Sequence, residues 1–189
     1  GAVQKKASQA TSGSNMRQIA LAYNNFSTSG GRTQTIRDGN YNSTTATTSA
    51  SDMQEWALVL AQGAELIDAA IYIIDSDPFL SSSTAPATLP QIVGSRQSDG
   101  SFDPSSDWTG APDEIVGYAG VVGMSSNANG STTPLLWTKG LQTSGFWDPA
   151  SNPWGNDGGH IVFMDGHVTF YKNVAEPNRL VGNSNASNA

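Results

Sequence analysis

Two histidines and an aspartate near the C-terminus, His160, Asp165 and His167, are the residues best suited to chemistry. They lie in the stretch HIVFMDGHVTFYKN, and they include both histidines of the 189-residue chain. Imidazole and carboxylate groups can bind zinc, and they can transfer protons in catalysis. The local structure expected around them decides between such a site and a structural role.

The dipeptide Asp165–Gly166 between two apolar runs predicts a β-hairpin with a two-residue turn, because both residues of such a turn must tolerate positive φ. In this register Phe163 faces Val168. Side chains alternate between the two faces of a strand, so four apolar residues would share a face that packs on the core. They are Ile161, Phe163, Val168 and Phe170.

The same register places His160 and His167 on the opposite face of the hairpin, at its two ends. At ~3.4 Å per residue, the two imidazoles would lie about 13 Å apart. One zinc ion, with ligand bonds of about 2 Å, could not bind both. The sequence therefore predicts a structural turn at Asp165 and Gly166, without a metal or catalytic residue.

Five tryptophans raise the possibility of a platform for sugar rings. Partly buried aromatic residues in a loop-rich fold are the favoured interpretation, and exposed sugar-binding residues are the alternative. The tryptophans are Trp56, Trp108, Trp137, Trp147 and Trp154.

The loop FWDPASNPWGNDGG carries four oxygen-bearing side chains of the kind that Ca²⁺ prefers. They are Asp148, Asn152, Asn156 and Asp157. Their spacing matches no EF-hand, so a polar turn is the favoured interpretation and Ca²⁺ is the alternative. No other cofactor is expected.

Composition excludes several further classes. Nine basic and sixteen acidic residues give a net charge of −7, which argues against nucleic acid as a partner. The chain has no cysteine, and therefore neither a disulfide nor a thiol nucleophile. It contains no G-x-S-x-G, G-x-G-x-x-G or G-x-x-x-x-G-K-[ST] motif. Its longest apolar runs are far shorter than the roughly 18 residues that suggest a membrane span.

Helical patterns occupy the first third of the chain. Residues 3–26 predict a helix whose core face carries Met16, Ile19, Tyr23 and Phe26, with Gly13 as a weak point inside it. A polar loop follows at residues 33–51. Asp52 begins a D-x-x-E capping pattern, which predicts a second helix that Gly63 ends.

The remainder of the chain reads as short strands separated by loops. Strands are predicted at residues 71–74, 114–124 and 133–138, before the C-terminal hairpin. Prolines make residues 75–112 a long surface loop. Because helices come first and strands last, the fold class is α+β.

Two segments carry a resemblance to a known family. FMDGHVTFYKN, preceded by GNDGG, is similar to the C-terminal signature of bacterial prepilin-type, processing-associated proteins. AVQKKASQATSGSNMRQIALAYNNF resembles their N-terminal helix, with its "N-x-[KR]-Q-I-x-x-A" core. The matching residues are Asn15, Arg17, Gln18, Ile19 and Leu21. The segments EWALVLAQGAELIDAAIYIIDSDP and TPLLWTKGL also resemble parts of type II secretion pseudopilin-like chains, more loosely.

The resemblance implies one pilin-like domain over residues 1–189, with a long N-terminal helix on an antiparallel β-sheet. Residues 1–28 would be a truncated helix, and residues 29–189 a loop-rich region with the C-terminal sheet. An apolar anchor in the inner membrane would precede this chain, so its location would be the periplasmic or extracytoplasmic face of that membrane.

The function implied is structural: a non-catalytic subunit of a type II secretion pseudopilus or a related type IV pilus. Its partners would be other pseudopilin subunits and the secretion machinery. The alternative from another class is a secreted glycan-binding module that uses exposed tryptophans.

Overall fold

The N-terminal helix α1 (Ala2–Thr28) is the longest element of the computed structural model, which describes residues 1–175. Its core-facing side chains recur every three or four positions, the spacing that places residues on one face of a helix. Those side chains include Met16, Ile19, Tyr23 and Phe26, all at most 2 % exposed. The four residues predicted to form the helix core are therefore all buried.

A second helix, α2 (Met53–Ala64), begins as the capping pattern predicts. The Asp52 carboxylate accepts a hydrogen bond of 2.8 Å from the Glu55 backbone N–H. The end of α2 differs from the prediction, because Glu65 adopts the left-handed conformation there and Gly63 lies inside the helix. A Cβ atom on Gly63 would lie 2.8 Å from the Phe26 ring, so this glycine lets α1 and α2 approach closely.

The main sheet has four antiparallel strands in sequential order. They are β5 (Tyr118–Gly120), β6 (Pro134–Thr138), β7 (Gly159–Phe163) and β8 (Val168–Tyr171). All five residues of β7 are buried. Of the strand predicted at residues 114–124, only the three residues of β5 form a strand. The strand predicted at residues 133–138 agrees with β6.

The hairpin of β7 and β8 is shifted by one residue from the predicted register. Phe163 donates its N–H to His167 O (3.0 Å) and accepts at its own carbonyl from Gly166 N–H (2.9 Å), which leaves a three-residue loop. Gly166 has a φ of +89°, whereas Asp165 is outside the positive-φ region. The loop amides of Met164 and Asp165 donate to neighbouring backbone carbonyls and hold this longer turn.

A one-residue shift moves every side chain of one strand to the other face. The predicted set of Ile161, Phe163, Val168 and Phe170 on one core face is therefore wrong. Ile161 pairs with Thr169, and these residues point away from α1. The face toward α1 carries His160, Val162, Val168 and Phe170, and Phe170 remains 39 % exposed.

Short elements connect the helices to the sheet. They are β1 (Arg37–Asp38), β2 (Ser49–Ala50), β3 (Gly94–Arg96), β4 (Phe102–Pro104), α3 (Ser106–Thr109) and 3₁₀ turns at Ala70–Tyr72, Pro78–Ser81, Asp113–Ile115 and Gly155–Asp157. The strand predicted at residues 71–74 is wrong, because a 3₁₀ turn buries Ile71 and Tyr72 there. β1 and β2 are parallel, and β3 and β4 are antiparallel.

One hydrophobic core joins α1, α2 and the main sheet. The architecture is therefore α+β, with the N-terminal helix packed on an antiparallel sheet. The last part of the predicted domain, residues 176–189, lies outside the described residues. None of the helices found between residues 1 and 175 combines the length and apolarity that a bilayer span requires.

Candidate functional site

The junction between the first half of α1 and the sheet brings together several buried polar side chains. Ser8 and Ser12 are buried there, on the face of α1 that continues the apolar stripe. The Ser12 hydroxyl shares a hydrogen bond of 2.9 Å with the Tyr118 hydroxyl on β5. Burial raises the pKa of Tyr118, and the Ser12 hydrogen bond opposes that rise only in part. The phenol is therefore a neutral hydrogen-bonding group.

Ser8 forms a second polar cluster one turn earlier on α1. Its hydroxyl donates to Asp75 Oδ1 (3.0 Å) and lies 2.7 Å from the Ser76 hydroxyl. Trp154 donates its indole N–H to the Ser8 hydroxyl oxygen at 3.3 Å. Through their hydroxyl groups, Ser12 connects α1 to β5 and Ser8 connects α1 to two neighbouring loops.

His160 lies on the α1 side of β7, and its ring packs against Gly13. A Cβ atom at Gly13 would lie 3.4 Å from His160 Nε2, so the imidazole lies close to this part of α1. Trp154 and Phe170 meet the ring edge-on, with centroids at 5.3 and 5.0 Å. The backbone N–H of His160 donates to the Thr138 hydroxyl at 3.0 Å. The ring is therefore enclosed by three separate segments.

The enclosure makes His160 hard to protonate. Its Nδ1 atom is buried and has no hydrogen-bond partner among residues 1–175. Burial, and secondarily the positive charge of Arg17, lower the pKa of His160 to about 4. Burial disfavours the charged form of an imidazole, and a nearby cation adds to that effect.

His167 has the opposite environment. It is exposed at the hairpin tip, where it stacks on Phe163 with ring centroids 4.3 Å apart. Its Nδ1 lies 2.5 Å from Asp165 Oδ1, and its backbone N–H donates to that oxygen at 3.1 Å. That backbone hydrogen bond is the main cause of the lowered pKa of Asp165. The Asp165 carboxylate thus stabilises the hairpin loop through its hydrogen bonds to His167.

The expectation that the two histidines share a face is wrong, since the register shift places them on opposite faces of the hairpin. Within the described part of the chain, no group of three or more histidine, aspartate or glutamate side chains is arranged to hold a metal ion. Two of the four side chains of the candidate Ca²⁺ loop, Asp148 and Asn152, accept hydrogen bonds from the protein itself, and Asp157 pairs with Lys5 at 3.2 Å. Asp148 accepts from the Ala150 N–H and the Ser151 hydroxyl, and Asn152 accepts from the Trp154 N–H.

Four of the five tryptophans are at most 5 % exposed, namely Trp56, Trp108, Trp147 and Trp154. Trp137, on β6, is half-buried. Several of the indoles donate hydrogen bonds inward, such as Trp147 Nε1 to Thr138 O at 3.1 Å. The glycan-binding alternative relied on exposed tryptophans, and these four are structural.

Sequence reasoning missed a buried ion pair between Asp77 and Lys139. The Asp77 side chain is fully buried, and Lys139 Nζ contacts its Oδ2 atom. Lys139 also donates to Glu114 O at 2.7 Å and lies 5.5 Å from the centroid of the Phe79 ring. Burial raises the pKa of Asp77, and the hydrogen bond from Lys139 opposes the rise. The pair ties the Pro78–Ser81 turn to the end of β6.

An open cleft of about 370 Å³ runs between the first half of α1 and residues 68–75. Hydroxyl and amide side chains of α1 line one wall, and Asp68 and Asp75 stand on the other. Both carboxylates already accept internal hydrogen bonds, from the Ala70 N–H and the Ser8 hydroxyl. These groups can hydrogen-bond to a polar surface.

No protein-family model, curated protein or solved structure matches the chain. The class of protein therefore follows from the structure itself: an α+β domain in which a long N-terminal helix lies on an antiparallel sheet.

Proposed function

We propose that the chain is a structural subunit of a type II secretion pseudopilus or a related type IV pilus assembly, and that it acts by assembly rather than by catalysis. The observation that carries the proposal is the placement of α1. One face of this 27-residue helix is buried against the sheet and α2, and the other face stays exposed over its full length. This arrangement suits a helix that contacts its own domain and a neighbouring subunit at once.

The exposed face of α1 carries two large apolar side chains among polar ones. Val3 is 83 % exposed and Leu21 is 63 % exposed, and both lie on the side of α1 away from the sheet. Single exposed apolar residues are common on soluble proteins. Here they belong to the same helix face, together with small residues such as Ala10.

Charge separates α1 from the rest of the domain. The helix carries Lys5, Lys6 and Arg17 and no acidic residue, which gives it a charge of +3. Since the whole chain has a net charge of −7, the remaining residues carry −10. A basic helix on one subunit and an acidic surface on the next would attract each other in a head-to-tail assembly.

The proposal places the domain at the extracytoplasmic face of the inner membrane, with other pseudopilin subunits and the secretion machinery as partners. It requires an apolar segment of about 20 residues ahead of Ala2 in the precursor. Assembly would depend on that segment as well as on α1. The separate 189-residue domain should therefore sediment as a monomer or weak dimer at micromolar concentration, and a stable large oligomer would contradict the proposal.

Site-specific cross-linking of the full-length precursor in its host tests the contact. The chain has no cysteine, so Leu21→Cys introduces a single reactive thiol on the exposed face of α1. We expect this variant to form cross-links to other subunits, and to lose them when the secretion ATPase is removed. The matched control is Gln97→Cys, exposed in the turn between β3 and β4. Equal cross-linking at the two positions, or none at Leu21→Cys, would contradict the proposal.

A further inference from the structure

We propose that His160 is an acid-sensitive latch: protonation of its imidazole releases the first half of α1 from the sheet, while the second half stays packed. This inference concerns the conformation of the domain and does not depend on the proposed function. It rests on three features of the ring: its enclosure, its unpartnered nitrogen and the kind of contacts that surround it.

The latch geometry joins three segments that are far apart in the sequence. The His160 ring is seated against the backbone of α1 at Gly13, with Trp154 from the preceding loop and Phe170 from β8 against its edges. The residue is only 9 % exposed. A neutral imidazole fits this aromatic and backbone surface, because it carries no charge that burial would leave unpaired.

A protonated ring does not fit. Protonation makes both ring nitrogens donors, yet Nδ1 is buried and without a partner among the described residues. Among those residues, Arg17 on α1 is the charged group that acts on the ring, and it is repulsive. The other neighbours, Thr138, Trp154 and Phe170, supply no negative charge. The free-energy cost of a buried, unpaired charge would therefore favour separation of the first half of α1 from the sheet, which exposes the ring to water.

The pH window follows from the lowered pKa. The imidazole has a pKa near 6.5 when it is exposed and about 4 in the closed state. The stability that the buried, neutral His160 ring contributes to the packing of α1 is fully present above about pH 6.5. It declines as the pH falls toward about 4, the pKa of the ring in the closed state. The latch therefore opens on acidification.

Only the first half of α1 is held in place by packing against the His160 ring. The contacts of this half with the sheet and the neighbouring loops are the hydroxyl hydrogen bonds of Ser8 and Ser12, the packing at Gly13, and a half-exposed ion pair between Lys5 and Asp157 (3.2 Å). The second half is held by fully buried apolar side chains such as Ile19 and Tyr23, which do not titrate in this range. Opening would separate Ser12 from Tyr118 and Ser8 from Trp154, and leave the remainder of the helix in place.

Two spin labels report the opening directly. The sequence has no cysteine, so Ala10→Cys on α1 and Lys172→Cys beyond β8 can be labelled selectively in the full chain, since both positions are exposed. We expect one narrow distance distribution at about pH 7 and a second, longer population that grows as the pH falls toward about 4. A single distribution across this range would overturn the proposal.

Two variants assign the effect to His160. His160→Phe keeps an aromatic ring that cannot be protonated, and it should lower the opening midpoint by about one pH unit or more. If this variant does not fold, His160→Gln, which is also uncharged, gives the same comparison. His167→Phe removes the exposed histidine and should leave acid opening unchanged. Opening of His160→Phe with the wild-type pH profile would assign the effect to other groups, such as carboxylates, and overturn the latch.

Discussion

The two halves of α1 attach to the same domain by different means. In the first half, the buried positions are Ser8, Ser12 and Gly13, and their contacts are hydrogen bonds and one glycine–imidazole contact. In the second half, the buried positions include Met16 and Tyr23, which enter the hydrophobic core. The division falls near the middle of an otherwise continuous helix.

The difference concerns how each half responds to change. Apolar burial contributes stability in proportion to area and is insensitive to pH. Hydrogen bonds between buried hydroxyls contribute less in net terms, but each is costly to leave half-made. The second half should therefore determine whether the domain folds, and the first half should determine how firmly the N-terminal end of the helix is held.

The largest effect is expected from Tyr23→Ala. The Tyr23 ring is fully buried, stacks on Trp56 with centroids 5.9 Å apart, and meets Phe26 edge-on. Removing it should lower the free energy of unfolding by about 3–5 kcal/mol, as for other buried aromatic residues. Chemical denaturation monitored by circular dichroism measures this. Thr11→Ala on the exposed side of the first half is the control, and similar midpoints for the two variants would contradict the division of α1.

Two glycine-to-alanine substitutions each add one methyl group next to α1 or within it. Gly63 on α2 faces Phe26 in the second half of α1, and Gly13 lies in the first half. Gly63→Ala would place a Cβ atom 2.8 Å from the Phe26 ring, and we expect a destabilisation of up to about 3 kcal/mol despite better helix propensity. Gly13→Ala meets His160 at 3.4 Å, and the helix propensity it gains, about 1 kcal/mol, offsets the crowding. Thermal unfolding of both variants tests the order. A larger loss for Gly13→Ala would reverse the comparison.

A smaller effect is expected from Ser12→Ala in the first half. This substitution leaves the Tyr118 hydroxyl buried without its 2.9 Å partner, which should cost about 1–2 kcal/mol. Replacing both residues, with Tyr118→Phe as the second change, should recover part of the loss because no unpaired hydroxyl remains. A double-mutant cycle from urea denaturation gives the coupling energy. Purely additive losses would show that the hydrogen bond contributes nothing.

The smallest effect is expected from Leu21→Ser. Leu21 lies in the second half of α1 but points to solvent, so the free energy of unfolding should change by less than about 0.5 kcal/mol. Ile19→Ser, two positions away and fully buried, is the matched control and should be strongly destabilising. Denaturation curves of the two variants that coincide would mean that the faces of α1 are assigned wrongly.

The sequence predicts this fold best where local patterns decide the structure. The spacing of Met16, Ile19, Tyr23 and Phe26 was enough to identify the buried face of α1, and the Asp52 cap was enough to place the start of α2. Both depend on residues within a turn or two of one another. The α+β class followed from the order of these patterns along the chain, and the structure confirms it.

Errors arose where distant segments decide the structure. Asp165–Gly166 suits both a two-residue and a three-residue hairpin loop, and the choice depends on carbonyls of Gly130 and Thr133 in another loop. The β-branched and aromatic residues at 71–74 suit a strand, but tertiary packing buries Ile71 and Tyr72 in a 3₁₀ turn. The packing of the His160 ring against α1 could not be predicted either, because Gly13, which it contacts, lies near the opposite end of the chain.

The pairing of the first helix with a late strand has a consequence for synthesis. α1 leaves the ribosome long before β7 (Gly159–Phe163), on which it packs, because β7 is complete only at residue 163. Contacts between such distant segments slow folding, since the intervening chain must be closed into a loop before they form. The apolar face of α1 must therefore remain without its sheet while most of the chain is made, and a chaperone or a membrane could occupy that face in the interval.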